Sequence, residues 1–186
     1  MIKKWKKLDS KYLITSDWIN VRADRCKRPD GGIVDPYYVI EERNWVYVIA
    51  FNSDMDVLVV RQYRHGAGII TVEFPSGDVA LDKESPIEGA KRELLEETGC
   101  TAESFDLLME CYSDPSRYTN KIFAFMARGA QKVCEPSFDE NECIESEFIS
   151  PSELAALVRE GSFCLSHHLW GAIMAMEKVG QKGWCV

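Results

Sequence analysis

The apolar positions of this chain fall into short runs separated by glycine, proline and Asx breaks, a pattern that predicts more strand than helix. Residues 12–25 and 33–42 read as two β-rich runs joined by the turn former Pro29-Asp30-Gly31-Gly32, an N-terminal hairpin. Three strand-like runs follow, Trp45–Phe51, Val57–Arg64 and Ile69–Phe74, broken at Asn52-Ser53-Asp54 and at Gly66-Ala67-Gly68. Ser85-Pro86-Ile87-Glu88 then supplies an N-cap serine, a proline at the first helical position and a glutamate placed to close a capping box. Gly99 is the matching C-terminal stop. Further strand-like runs occupy 105–113, 119–127 and 143–149. Ser150-Pro151-Ser152-Glu153 repeats the capping pattern and opens a helix ending near Gly161, and a last helical stretch runs roughly from His167 to Val179. Strands with three interspersed helices predict an α/β fold layered around a mixed sheet.

Composition narrows the partners. The 186 residues suit one compact domain with an elaboration, divided at 1–42 and 43–186. A hydrophobic content of 46% is enough for a sizeable core, and a formal charge of −8 argues against a duplex nucleic-acid binder, which needs a basic face. A small phosphorylated substrate stays compatible, because a bound divalent cation inverts the local field. The seven cysteines show no CxxC or Cys/His spacing and read as reduced, packed thiols. No apolar stretch follows the basic start, and Trp45–Phe51 is too short to span a bilayer, so the expectation is a cytoplasmic protein without membrane segments.

The chemistry concentrates on the first helix. At about 100° per residue, Ile87, Ala90, Leu94 and Thr98 share one arc, while Glu93, Glu96 and Glu97 share its neighbour. Three carboxylates at i, i+3 and i+4 repel one another, and they stand near the helix C-terminus, where the macrodipole favours cations. Two readings follow: a solvated acidic face, or a site for a hard cation such as Mg²⁺ or Mn²⁺. Glu73-Phe74-Pro75-Ser76-Gly77, a strand end turning through proline and glycine just before the helix, favours the cation.

Glu84, seven intervening residues, and Arg92-Glu93-Leu94-Leu95-Glu96-Glu97-Thr98-Gly99-Cys100 resemble the Nudix box, a glycine-led loop ending in R-E-U-x-E-E-x-G-U, where U is aliphatic. Six residues separate Gly77 from Glu84, one more than the box has, and Cys100 takes the last aliphatic position. The resemblance implies a Nudix-type α/β/α sandwich carrying the N-terminal β-hairpin as an extension. It implies Glu93 and Glu97 as metal ligands with Glu96 close behind, the Ser76 carbonyl completing the shell, and Glu96 and Glu97 serving catalysis. Arg92 would be structural, pairing with Glu84 or Glu96.

The flanking segments Val59–Arg64 and Glu73–Gly77 resemble the branch that cleaves ADP-ribose and nucleoside diphosphate sugars. There the arginine matching Arg64 contacts substrate phosphate, which suits its planar donor fork; Arg61 is a weaker match. Pro115, sixteen residues after Gly99, is similar to that branch's marker, although Ser116 stands where a glycine is usual. An acidic loop before 144–149 implies that Glu142, or alternatively Glu140, helps activate water. The N-terminal extension of that branch supports a homodimer and stacks aromatics on the base, with Trp18 and Tyr37 or Tyr38 as candidates. The implied reaction is metal-dependent hydrolysis of ADP-ribose or a related nucleoside diphosphate sugar to a nucleoside monophosphate and a sugar phosphate. Rival substrates are a GDP-sugar, a dinucleoside polyphosphate or a nucleotide cofactor. A non-catalytic nucleotide-sugar-binding regulator fits less well, because the glutamate set is intact. His65, His167 and His168 receive no role.

Overall fold

The computed structural model describes residues 1–138 and 143–180. These divide into two compact units, Met1–Asn44 with Cys111–Lys121, and Trp45–Glu110 with the segment from Ile122 onward.

The first unit is built on an antiparallel sheet of β1 (Lys6–Thr15), β2 (Ile19–Lys27) and β3 (Ile33–Glu42), in that spatial order. The run 12–25 is therefore not one strand, and the extension is a three-stranded meander rather than a hairpin. The break is a serine turn: Ser16 Oγ accepts from the amides of Trp18 and Ile19 and donates to the Ile19 carbonyl. Strand β1 escaped the pattern because it is exposed along its whole length, so nothing forces its residues to alternate. Asp24 is buried between Ser10 Oγ and Arg22 Nε, and Arg22 also pairs with Glu41. Backbone bonds from Ile40 N to Arg117 O (2.8 Å) and from Thr119 N to Ile40 O (3.1 Å) tie in the 111–121 segment.

The second unit contains β4 (Asn44–Phe51), β5 (Val57–Arg64), β6 (Ile69–Glu73), β7 (Ser76–Val79), α1 (Pro86–Thr98), β8 (Cys100–Thr101), β9 (Ser104–Tyr112), β10 (Lys121–Arg128), β11 (Gln131–Lys132), β12 (Ile144–Ile149), α2 (Pro151–Glu160) and α3 (Ser166–Lys178). Among the described residues seven of these strands form one sheet, β12-β5-β4-β10-β9, with β6 on β5 and β7 on β4. Strands β4 and β10 run parallel whereas β12 and β6 run antiparallel to β5, so the sheet is mixed. The residues after Phe74 do more than turn a corner: Ser76–Val79 pairs with β4, and Val48 donates to the Pro75 carbonyl (2.9 Å).

Alternation on β4 and β10 creates the layers. Val46, Val48, Ala50, Phe123, Phe125 and Ala127 pack with Ala90 and Leu94 of α1 on one face. From the other face Tyr47 reaches α3, donating through its hydroxyl to the His167 carbonyl (2.6 Å) and stacking parallel to Phe74. Helices on both faces explain why these strands read as continuous apolar runs. Complete burial of Leu94 stabilises by roughly 2 kcal/mol, enough to anchor a helix that also carries charge into the interior.

Both expected capping boxes form, Ser85 with Glu88 and Ser150 with Glu153. Helix α3 has no side-chain cap at Leu165, so no cap marks its start. Helix α1 ends at Gly99, whose φ of 70° lets its amide reach the Leu95 carbonyl (2.8 Å). A Cβ there would fall 2.1 Å from the Cys134 carbonyl oxygen. Gly99→Ala should lower the unfolding free energy by at least about 1–2 kcal/mol from left-handed strain alone. Chemical denaturation measures this, and an unchanged midpoint would contradict it.

His168 on α3 is fully buried and accepts a hydrogen bond at Nδ1 from the Phe74 amide (3.2 Å), which places its proton on Nε2. Burial first, then neighbouring His167 and Arg64, push its pKa well below the ordinary 6.5. The folded state therefore binds fewer protons than the unfolded chain below pH 6.5, so stability must fall as pH drops through that range. The loss should approach 1.4 kcal/mol per pH unit, roughly, between pH 6.5 and 5. His168→Asn, a neutral acceptor at the Nδ1 position, should flatten that limb. Equal slopes in thermal melts of both proteins would refute this account.

Candidate active site

The site is assembled where β7, the strand that follows β6, meets α1. Periodicity puts the three helix glutamates on an arc beside the core, and the fold draws two of them further in: Glu93 and Glu97 are 8% and 3% exposed. Glu96 stays half-exposed. A solvated acidic face would leave all three in water, so that reading fails. Burying two carboxylates demands specific partners.

Arg92 is the main one. Its Nη1 donates to Glu93 (2.7 Å) and Glu96 (2.9 Å), while Nη2 donates to Glu84 (2.8 Å) and to the Asp78 carbonyl (2.9 Å). Both of the expected pairings, with Glu84 and with Glu96, are present at once. The extra residue in the 77–84 loop therefore still delivers Glu84 to the helix. The Glu84 carboxylate, joined by Glu93 and Glu96, holds the guanidinium pKa above its ordinary range.

The 76–77 backbone supplies the remaining wall. Ser76 donates its amide to Glu97 Oε2 (2.8 Å). At Gly77 a Cβ would fall 2.2 Å from the Glu93 carboxylate, so a side chain there would displace that group from its place. Ser76, Glu93, Glu96 and Glu97 are thus brought to one place. Among the described residues no three His, Cys, Asp or Glu side chains are gathered at metal-ligand spacing; oxygens of Glu93, Glu96 and Glu97 are bound by Arg92 and the Ser76 amide. The three glutamates offer only carboxylate oxygen, the chemistry a hard divalent cation takes.

Arg64, at the end of β5, lines one cleft with Ser76, Gly77, Asp78, Trp45 and His167. Its guanidinium is gripped by Glu73, a residue with 0% exposure, through Nε to Oε1 (2.8 Å) and Nη2 to Oε2. Neither Glu73 nor His167 carries a role in the sequence reading. Glu73 left a signal there, as a charged residue ending the apolar β6 run, which implies a buried partner. His167 left none; burial lowers its pKa, opposed by Glu73.

The remaining candidates lie elsewhere. Trp18 and Tyr37 belong to the first unit: Trp18 sits exposed in the β1–β2 turn beneath the Arg43 guanidinium (5.2 Å). Tyr37, on β3, donates to the Ser116 carbonyl and lines a cleft with Pro36, Tyr38, Ser116 and Arg117. Arg61 pairs with Glu147 on β12 (2.8 Å). Glu142 and Glu140 lie outside the described residues.

Comparison with known proteins agrees with this architecture. The family model for the nucleoside diphosphate sugar hydrolase N-terminal domain matches residues 5–40, and that for the NUDIX domain matches residues 42–169. The chain is 30% identical over 135 residues to an ADP-ribose pyrophosphatase of Mycobacterium tuberculosis, covering 73% of this chain and 65% of that protein. It is 36% identical over 132 residues to a GDP-mannose pyrophosphatase of Yersinia enterocolitica, covering 66% and 68%. A crystal structure of an ADP compounds hydrolase superposes with a TM-score of 0.83 over 99% of this chain and 98% of that one, at 19% identity, a likeness of fold. The glutamate helix, its arginine and the glycine-led loop are thus a Nudix box in its structural setting, and the chain belongs to the Nudix hydrolase family.

Proposed function

We propose that the protein hydrolyses the diphosphate linkage of ADP-ribose or a related nucleoside diphosphate sugar, releasing a nucleoside monophosphate and a sugar phosphate. The observation that carries this reading is the convergence of Glu93 and Glu97, both buried, on the Ser76-Gly77 backbone that also lines the Arg64 cleft. Relatives described as acting on ADP-ribose and on GDP-mannose support the substrate class.

A bound Mg²⁺ or Mn²⁺ supplies Lewis acidity toward phosphate oxygens and lowers the pKa of its water. Glu93, Glu96 and Glu97 would hold it, with Ser76 beside them. Arg92 keeps these carboxylates oriented from behind, as outer partners of ligands do. Arg64 binds the diphosphate and offsets charge that develops on it. Glu142 takes a proton from the attacking water, with Glu140 as the alternative. In the first unit Tyr37 offers a π-face to the base from a cleft that also holds Arg117, and Trp18 is the second candidate.

The reading includes a homodimer built through the N-terminal extension, residues 1–42. Strand β1 is an exposed ten-residue edge carrying Leu8, Tyr12, Leu13 and Ile14 at the surface, an arrangement proteins ordinarily cover. A reducing, cytoplasmic location is consistent with the absence of disulfides among the described cysteines. No described helix is long and apolar enough to cross a membrane.

Chelation with EDTA should abolish turnover and added Mg²⁺ or Mn²⁺ should restore it. Glu97→Gln should cut kcat by about a hundredfold or more while circular dichroism stays unchanged; near-normal turnover would sink the metal assignment. Product analysis with ADP-ribose, GDP-mannose and a dinucleoside polyphosphate tests the substrate. ADP-ribose is expected to give the highest kcat/KM, and equal or greater turnover of a non-adenine compound would displace it.

A further inference from the structure

Glu73 is the most completely buried carboxylate beside the cleft, and the reaction as proposed does not use it. Both its oxygens are engaged. Oε1 accepts from Arg64 Nε (2.8 Å) and Thr71 Oγ1; Oε2 accepts from Arg64 Nη2 and Gln62 Nε2 (3.4 Å). The pair is sharply unequal in burial, with Arg64 at 42% side-chain exposure and Glu73 at 0%. A carboxylate sunk this far contributes little to net stability, because desolvation consumes most of the attraction. What it does supply is direction. Two parallel N–H···O bonds fix the plane of a guanidinium, and Thr71 and Gln62 fix the carboxylate in turn. The bonds come from Nε and Nη2, so the fork approaches Glu73 from one edge while the side chain still lines the cleft with Ser76, Gly77 and Asp78.

We propose that Glu73 is a positioning residue, which holds the Arg64 guanidinium in the plane and orientation that bind the substrate diphosphate. This rests on the assignment of Arg64 to the diphosphate. Preorganisation of this kind matters because an unrestrained arginine loses rotamer freedom on binding, while one already locked does not. The bond pattern predicts that lysine would substitute poorly at position 64, because a single ammonium cannot accept orientation from a bidentate carboxylate.

The test is a double-mutant cycle on Glu73→Gln and Arg64→Lys, read as the Kd for ADP-ribose in EDTA, where no turnover occurs, and as kcat and KM with Mg²⁺. Each single variant should weaken binding about tenfold, with the larger effect in KM rather than kcat. The double variant should be no weaker than Arg64→Lys alone, since Glu73 acts through Arg64. A structural role would instead give additive losses, and additivity overturns the proposal, as does wild-type affinity in Glu73→Gln. If Arg64→Lys itself leaves Kd and KM unchanged, the diphosphate role of Arg64 fails, a result distinct from additivity. Thermal melts check that each variant folds. Should Glu73→Gln not fold, Glu73→Asp carries the same cycle, keeping the charge but withdrawing the carboxylate by one methylene.

Discussion

The Arg92 guanidinium is the interaction on which the rest of the site depends. Four groups from three segments meet on it: the Asp78 carbonyl from β7, Glu84 from the loop that follows, and Glu93 and Glu96 from α1. Without that positive charge, helix packing would drive like-charged carboxylates together in a partly dry corner, at a cost that the burial of Ala90 and Leu94 could not readily offset. With it, the same packing draws the carboxylates into the interior. The arginine therefore acts in two ways, as electrostatic counterweight and as the clasp that sets how the long 77–84 loop returns to the helix.

The sheet contributes the second constraint, closeness of backbone to side chain. Glu93 rests in the space that the missing side chain of Gly77 leaves, and Glu97 is held by the Ser76 amide. Strand β7, by pairing with β4, makes that backbone rigid, so its contacts are set by hydrogen-bonded strand geometry and not by a free loop. The same strategy recurs at Glu73, where a strand residue buries a carboxylate to orient an arginine, and at His168, where a helix residue caps the Phe74 amide. In each case a buried polar group is held by a hydrogen bond that joins two elements.

The first unit follows a different logic. Its hydrophobic interior is small, with Cys26 and Val39 buried, and polar pairs such as Arg22 with Asp24 and Glu41 add order between the strands. A sheet of this kind keeps large apolar and aromatic side chains, such as Tyr12, Ile14 and Tyr38, at its surface.

Much of this was legible in the sequence because it is local. The capping boxes at Ser85 and Ser150, the glycine stop at Gly99 and the spacing of Glu93, Glu96 and Glu97 follow from helical geometry and from hydrogen bonds within a few residues. The apolar runs of β4, β5 and β10 are equally plain, since burial on both faces leaves no polar interruption. Strand β1 was not legible, because full exposure erases the alternation that marks a strand, and β7 was hidden by the proline before it and the glycine within it. Which carboxylates would be buried, that Glu84 would still reach Arg92 across a longer loop, and that Glu73 would grip Arg64 were decided only by tertiary structure. Those outcomes depend on partners brought together by sheet pairing and helix packing, and a linear pattern carries residue types and spacing but not the neighbours that make a buried charge tolerable.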